Sequence, residues 1–255
     1  STVGVMRALG VRVEFPADGE LVVTGRGLHG LSEPASVLDA GNSGTALRLM
    51  MGLLAPQPFF LTFTGDASLS RRPMGRVLLP LGQMGARIYG RNDNNNLPLS
   101  IVPAGKKLCG ISYDSPVASA QVKSAILLAG LYTDAPTSVT EPFVSRDHTE
   151  RMLAGFGVRV EREGCTARVY PVTREEDYIA PEEITVPGDI SSAAYFLVGG
   201  SIIKGSRLLL KNVGINLTRT GILDVLAQMG AHIAVKNERT SGGEALADIS
   251  VETAE

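Results

Sequence analysis

The 255-residue sequence predicts an α/β protein built from a repeated α-β-α-β-β unit of about 73 residues, and three observations carry that prediction. One phrase occurs four times: a helix end, then glycine, a small apolar residue, a basic residue and a β-branched one. Its copies are Gly10-Val11-Arg12-Val13, Gly85-Ala86-Arg87-Ile88, Gly157-Val158-Arg159-Val160 and Gly230-Ala231-His232-Ile233, spaced 75, 72 and 73 residues apart. A second phrase, a small polar helix start before an apolar helix, keeps the same beat. It appears as Ser43 before Leu47–Leu54, Ser119 before Val122–Leu131 and Ser191 before Ala193–Val198, at offsets of 76 and 72. Self-similarity at a fixed period marks repeat architecture. The 29 glycines and 14 prolines suit many short turns between many short elements.

Taken in order, residues 1 to about 40 hold only the second half of a unit, opening as a helix that Gly10 closes. Two complete units follow, about 41–115 and 116–186, and 187–255 make a further one. The chain is therefore expected to begin inside a unit and to end at a boundary. Within the second copy, Thr45–Ala55 is apolar on nearly every face, which predicts a buried helix. Within the third, Ser138–Thr140 reads as a strand and Thr149–Phe156 as a helix. The last copy is clearest. Glu183–Val186 leads in as a strand, Asp189–Gly199 is a buried helix, and Arg207–Asn212 is a strand. Thr218–Met229 is an amphipathic helix with Gly230 at C′. Ala231–Lys236 and Ala247–Val251 are paired strands around a polar turn, Asn237–Gly243. The domain expectation is 1–186 as a substrate-binding domain and 187–255 as the first unit of a second one.

Composition narrows the function classes. A hydrophobic content of 44% and a charged fraction of 20% describe an ordinary globular chain, and a net charge of −2 argues against a nucleic-acid-coating surface. Cys109 and Cys165 show no CxxC spacing and read as free thiols in a reducing compartment. His29, His148 and His232 form no recognisable ligand set, so no metal is expected. No apolar run reaches membrane-spanning length and no signal pattern opens the sequence, which places the expectation in the cytoplasm, or in an organelle after loss of a transit peptide.

The chemistry concentrates between Asp39 and Arg76. Gly41-Asn42-Ser43-Gly44-Thr45 supplies a tight turn, an N-cap and unpaired backbone N–H groups at the positive end of a helix dipole, an arrangement suited to an anion. Arg71, Arg72 and Arg76 offer guanidinium forks for phosphate or carboxylate beside the stiff Pro73. At the next equivalent helix start, Ser119 and Gln121 can hydrogen-bond a phosphate or a sugar-like ring, although simple N-capping also accounts for Ser119. In the loop Ser145-Arg146-Asp147-His148, Asp147 or Ser145 can equally be a cap and His148 a surface residue. By the repeat, the helix starts at 43, 119 and 191 occupy equivalent ends of their units. With Arg72 and Arg146 nearby, they predict a pocket for a multiply anionic small molecule.

Asp39-Ala-Gly-Asn-Ser-Gly-Thr45, Gly65-Asp-Ala-Ser-Leu-Ser-Arg-Arg-Pro-Met74, Ser119-Ala-Gln121, Ser145-Arg-Asp-His148 and Pro187-Gly-Asp-Ile-Ser-Ser192 together closely resemble the 5-enolpyruvylshikimate-3-phosphate (EPSP) synthase family. The likeness covers essentially the whole chain, with five motifs in the right order. It implies the inside-out α/β barrel of the enolpyruvyl transferases, with three similar units per domain. It implies transfer of the enolpyruvyl group from phosphoenolpyruvate to the 5-hydroxyl of shikimate 3-phosphate through a tetrahedral adduct, releasing phosphate, with no cofactor. Carried over by position, Asn42, Gly44, Thr45, Arg72 and Gln121 match the phosphoenolpyruvate segment, with Gly44 where any side chain would crowd the ligand and where room governs glyphosate sensitivity. Ser119, Ala120, Gln121, Ser145 and Arg146 match the shikimate 3-phosphate segments. Arg48 and Asp189 match recurrent positions to which no direct ligand contact is assigned.

The family's opening Lys, Ser and Arg motif, its acid/base Asp, its Lys-Glu pair and the arginines of the other domain have no counterpart here. No catalytic residue is therefore assigned within these 255 positions, and the chain is expected not to turn over alone; the remainder of the same enzyme is a candidate partner. One competing reading is a UDP-N-acetylglucosamine enolpyruvyl transferase, which shares the fold. Its reactive Cys loop is missing where Ser68-Leu69-Ser70 stands. The other is a non-catalytic repeat binding module.

Overall fold

The computed structural model describes residues 1–173 and 183–253. They form two compact units, one of Ser1–Phe143 with 159–173, the other of Val144–Val158 with 183–253.

The first unit opens with α1 (Thr2–Ala8) and the antiparallel pair β1 (Arg12–Glu14) and β2 (Val22–Thr24), the half-repeat expected from the spacing. A full copy follows as β3 (Leu38–Asp39), α2 (Gly44–Leu54), β4 (Leu61–Thr64), α3 (Gly75–Gln83), β5 (Arg87–Gly90), the single turn α4 (Arg91–Asn94) and β6 (Asn96–Val102). Its strands lie in the order β3-β4-β6-β5, with β3 parallel to β4 and the other pairs antiparallel. The next copy supplies β7 (Ser112–Asp114), α5 (Ala120–Gly130), β8 (Thr137–Thr140), α6 (His148–Gly155), β9 (Val160–Glu163) and β10 (Thr166–Val169). The order β7-β8-β10-β9 reproduces the preceding sheet strand for strand.

The second unit contains α6, α7 (Ile190–Ile202), β11 (Arg207–Gly214), α8 (Gly221–Gln228), β12 (His232–Ser241) and β13 (Glu244–Glu252), in the sheet order β11-β13-β12. The order β11-β13-β12 matches β4-β6-β5 and β8-β10-β9, so the topology recurs a third time without a full leading strand. Among the described residues, no helix is long and apolar enough to cross a membrane.

The glycine phrase repeats because one helix stop repeats. Gly10, Gly85, Gly157 and Gly230 all take φ between 83° and 98°, a left-handed conformation that glycine enters without steric cost. At each, the glycine N–H bonds the carbonyl three residues back and the next N–H bonds the one five residues back, as in Gly85 to Gly82 and Ala86 to Leu81. This is the Schellman arrangement, which satisfies the orphan carbonyls of α1, α3, α6 and α8 and turns the chain into the following strand. Alternation does the rest. Leu97, Leu99 and Ile101 of β6 are buried and their neighbours less so, so one face of the sheet meets the helices.

Helices α2 and α5 make the central contact of the first unit, and both are largely buried. Gly52 permits it. A Cβ there would stand 2.1 Å from the carbonyl oxygen of Ala125, so only hydrogen lets the two backbones approach this closely.

Several expectations need correcting. Glu183–Val186 is not a strand; only Gly188 bridges, to Val213, in the position that β3 and β7 fill elsewhere. Pro187 has no N–H to donate, and Val186 is exposed. Helix α8 starts at Gly221, not Thr218, because the Thr218 N–H and hydroxyl both donate to Asn216 Oδ1 and hold a separate turn. The polar stretch Asn237–Gly243 is mostly strand. The hairpin turns at Gly242-Gly243, whose positive φ values suit a two-residue connection, with irregular pairing between Lys236 and Arg239. Its polar side chains lie on an exposed outer strand, where hydropathy resembles that of a loop. Helix α7 is capped by Asp189, two residues before Ser191, and is not buried throughout. Ile190, Ala193 and Leu197 enter the core, whereas Tyr195 and Ile202 are 82% and 75% exposed.

Asp248 ties the irregular pairing together. It accepts from the Asn212 N–H, the Asn237 amide and Arg239, and these bonds, the Asn237 one foremost, hold its carboxyl down at about 2. A depressed carboxylate stabilises the fold above its unfolded range near pH ~4 and loses that contribution as pH falls toward its folded value. Acid unfolding of Asp248→Asn, followed by circular dichroism, should therefore lack part of the wild-type stability loss between about pH 4 and pH 2.

Candidate functional site

In the first unit, the turn before α2 and the start of α5 build one polar cluster. Ser43 has extended φ/ψ and its hydroxyl accepts the Ala46 N–H at 3.1 Å, an ordinary N-cap that fixes where α2 begins. Asp39 Oδ1 accepts from the Gly41 N–H at 2.8 Å and shapes the preceding turn. Gly44, the first helical residue, lies beneath two guanidinium groups. A Cβ on it would be 3.0 Å from Arg48 Nη1 and 3.1 Å from Arg72 Nη1.

Arg72 reaches this place from the chain after the short 3-10 turn Leu69–Arg71 and donates through Nη2 to Asn42 Oδ1 at 2.6 Å. Arg48, one turn into α2, donates to Gln121 Oε1 at 2.7 Å, and Gln121 Nε2 donates to Thr45 Oγ1 at 2.7 Å. Positions 45 and 121, offset by 76 residues, thus meet across the α2–α5 contact. Because Arg48 can only donate, its bond to Oε1 also fixes which way the Gln121 amide faces.

The electrostatics favour an anion. Arg48 is pulled below its ordinary pKa first by burial and then by the charges of Arg72 and Arg76. Among the described residues, no carboxylate forms an ion pair with any of these three arginines. Arg48 and Arg72 meet over Gly44 and Arg76 adds its charge to Arg48, so the like charges repel one another and an anion held among them would relieve that repulsion. Arg71 does not join them; its Nε donates to the Ala67 carbonyl of its own turn.

Ser119 stands at the N-cap of α5, but its hydroxyl makes no capping bond, which removes the simple reading of that residue. Its backbone N–H instead donates to Glu141 Oε1 at 2.7 Å, and Glu141 Oε2 pairs with Lys123 Nζ at 3.0 Å. Ala120 is the first helical residue after it. Sequence reasoning missed the Lys123–Glu141 pair; the available signal was a lysine inside a mostly apolar helix.

Ser145 and Arg146 belong to the second compact unit, on the loop that enters α6. Arg146 is exposed and Ser145 partly so. Asp147 is not a side-chain cap. Its carboxylate is buried and accepts from Arg151 Nε at 2.8 Å and Asn216 Nδ2 at 2.7 Å. His148 is no idle surface histidine either, since Nδ1 lies 2.8 Å from Glu244 Oε1. Together these bonds fasten the root of the loop to the second unit's sheet. Asp189 caps α7 through the N–H groups of Ser191 and Ser192 and pairs with Arg219 at 3.0 Å; these bonds, the Ser191 one first, hold its carboxyl below the usual range. These bonds fix the start of α7. Among the described residues, no group of three or more His, Cys, Asp or Glu is arranged to hold a metal ion.

Residues 1–254 match the family EPSP synthase (3-phosphoshikimate 1-carboxyvinyltransferase). The chain belongs to the EPSP synthase family. A 3-phosphoshikimate 1-carboxyvinyltransferase of Desulforudis audaxviator is 57% identical over 251 residues, which is 98% of this chain and 57% of that protein. The enzyme of the same name from Geobacter sulfurreducens is 52% identical over 252 residues, again 57% of its length. EPSP synthase from Acinetobacter baumannii superposes with a TM-score of 0.91 at 50% identity, covering 98% of this chain and 56% of that one. The chain therefore has the α/β fold of EPSP synthases and spans a little over half the length of these relatives.

Proposed function

We propose that this chain contributes to transfer of the enolpyruvyl group from phosphoenolpyruvate to the 5-hydroxyl of shikimate 3-phosphate, with release of phosphate. The observation that carries the reading is the pair Arg48 and Arg72 over Gly44, with the charge of Arg76 acting on Arg48, in ion pair with no carboxylate among the described residues and bordered by Asn42, Thr45 and Gln121. Phosphoenolpyruvate carries two anionic groups on a small skeleton, which suits converging guanidinium forks over a residue without a side chain. Shikimate 3-phosphate falls to Ser119, Ala120 and Gln121, and to Ser145 and Arg146. In this reading 1–186 is the substrate-binding domain, 187–255 opens the second, and the protein works in the cytoplasm. The chemistry is neutralising and orienting two anions so that the hydroxyl meets the enol carbon, with proton transfer by groups outside these residues.

Two measurements test it. Titration calorimetry should show shikimate 3-phosphate binding to the chain, and Arg72→Ala should weaken phosphoenolpyruvate binding about thirtyfold, the loss of charge-assisted hydrogen bonds worth ~2 kcal/mol. The chain extended to the length of its relatives should release phosphate only when both substrates are present. A preference for UDP-N-acetylglucosamine over shikimate 3-phosphate would overturn the assignment.

A further inference from the structure

The three equivalent helix starts are held in different ways. At α2 the Ser43 hydroxyl is consumed by the Ala46 N–H, and at α7 the Asp189 carboxylate is consumed by Ser191 and Ser192. At α5 the Ser119 side chain does no capping. The residue is fixed through its backbone N–H, which donates to Glu141 Oε1 from the end of β8. That bond is half of a capping box, in which a glutamate grips the N-cap N–H, supplied here from a strand instead of from the helix's own third residue.

A carboxylate directly behind Ser119 would repel a phosphate in front of it. Lys123, one turn into the same helix, removes that objection. Its ammonium lies 3.0 Å from Glu141 Oε2, and the two side chains are 5% and 2% exposed. Glu141 is anchored in turn by its own N–H, which donates to the Cys165 carbonyl. The pair is thus neutral as a whole and inaccessible to ligand, yet one of its oxygens holds the residue that carries the spare hydroxyl.

We propose that Glu141, neutralised by Lys123, is a positioning residue for Ser119: it grips the Ser119 backbone so that the hydroxyl is left to donate to a phosphoryl oxygen of the phosphorylated substrate. This rests on the reading that Ser119 contacts shikimate 3-phosphate. Neither Glu141 nor Lys123 touches the substrate; both act through Ser119.

The test compares two charge-neutral double variants of the chain, each confirmed as folded by circular dichroism, with shikimate 3-phosphate titrated calorimetrically. Lys123→Met with Glu141→Gln keeps an acceptor for the Ser119 N–H and should bind within about twofold of wild type, whereas Lys123→Met with Glu141→Ala removes it and should bind about tenfold more weakly. In a Ser119→Ala background the two doubles should bind alike, because the route through Ser119 has gone. Equal binding by the doubles in the wild-type background overturns the inference, as does a difference that survives in Ser119→Ala. If Ser119→Ala alone binds as tightly as wild type, the assignment of Ser119 to the substrate falls and this inference falls with it. If Ser119→Ala is weakened but the doubles agree, the inference alone falls. A purely architectural ion pair would lower the melting temperature of both doubles and leave their affinities equal.

Discussion

Gly52→Ala should destabilise the protein by about 3 kcal/mol, the upper end of overpacking penalties, because the new methyl has nowhere to go. Its position is 2.1 Å from the Ala125 carbonyl oxygen and 2.7 Å from the Ala125 Cα, both backbone atoms of a buried helix, so no side-chain rotation relieves the collision. The helices must separate, and with them Arg48 on α2 and Gln121 on α5, whose 2.7 Å bond crosses the same contact. Gly82→Ala in α3 is the control. A Cβ there meets nothing within 4 Å, and the substitution should be neutral or stabilising by up to ~1 kcal/mol through helix propensity. The urea midpoint should fall for Gly52→Ala and hold or rise for Gly82→Ala; a shared midpoint would disprove the close-packing account. Anion binding by Gly52→Ala should weaken as well, since the cluster is assembled across the displaced contact.

Lys123→Met should be of similar or larger effect. It takes the ammonium away from a carboxylate that is 2% exposed, and breaking a buried pair by deleting one partner typically costs about 3–5 kcal/mol. The expected signature is recovery. Adding Glu141→Gln to Lys123→Met should restore most of the lost stability in urea unfolding, because the double variant buries no charge. Additive losses in the double variant would mean that each residue is held by other partners and that the pair itself contributes little.

The repeat was legible in the sequence because it is enforced locally. Each glycine phrase is a helix stop that needs a left-handed residue, an apolar residue after it and a strand to follow, all within a few positions. The same locality let Ser43 be read as a cap. Elements whose limits depend on distant partners were less legible. The outer strand β12 is polar and exposed, so hydropathy gave it only half its length, and pairing with β13 supplied the rest. Asn216 shortened α8 by holding a turn that no helix pattern announces.

At the candidate site, residue types and their order were available in advance, but roles were not. Arg71 and Arg72 look equivalent on paper, yet one turns back to its own carbonyl while the other meets Asn42. Arg48 gave no sign that it would orient Gln121, 73 residues away. Ser119 and Ser43 fill the same slot of the repeat, and only the arrival of Glu141 from β8 distinguishes a spare hydroxyl from a capping one.

By itself, the sequence determined the unit, its period, its helix stops and the family, because these reside in short-range patterns that survive translation along the chain. Tertiary structure alone decided which of several similar arginines and serines face one another. That choice depends on how closely two backbones approach at Gly52 and on where one buried charge is neutralised, and neither quantity is written in any local stretch of residues.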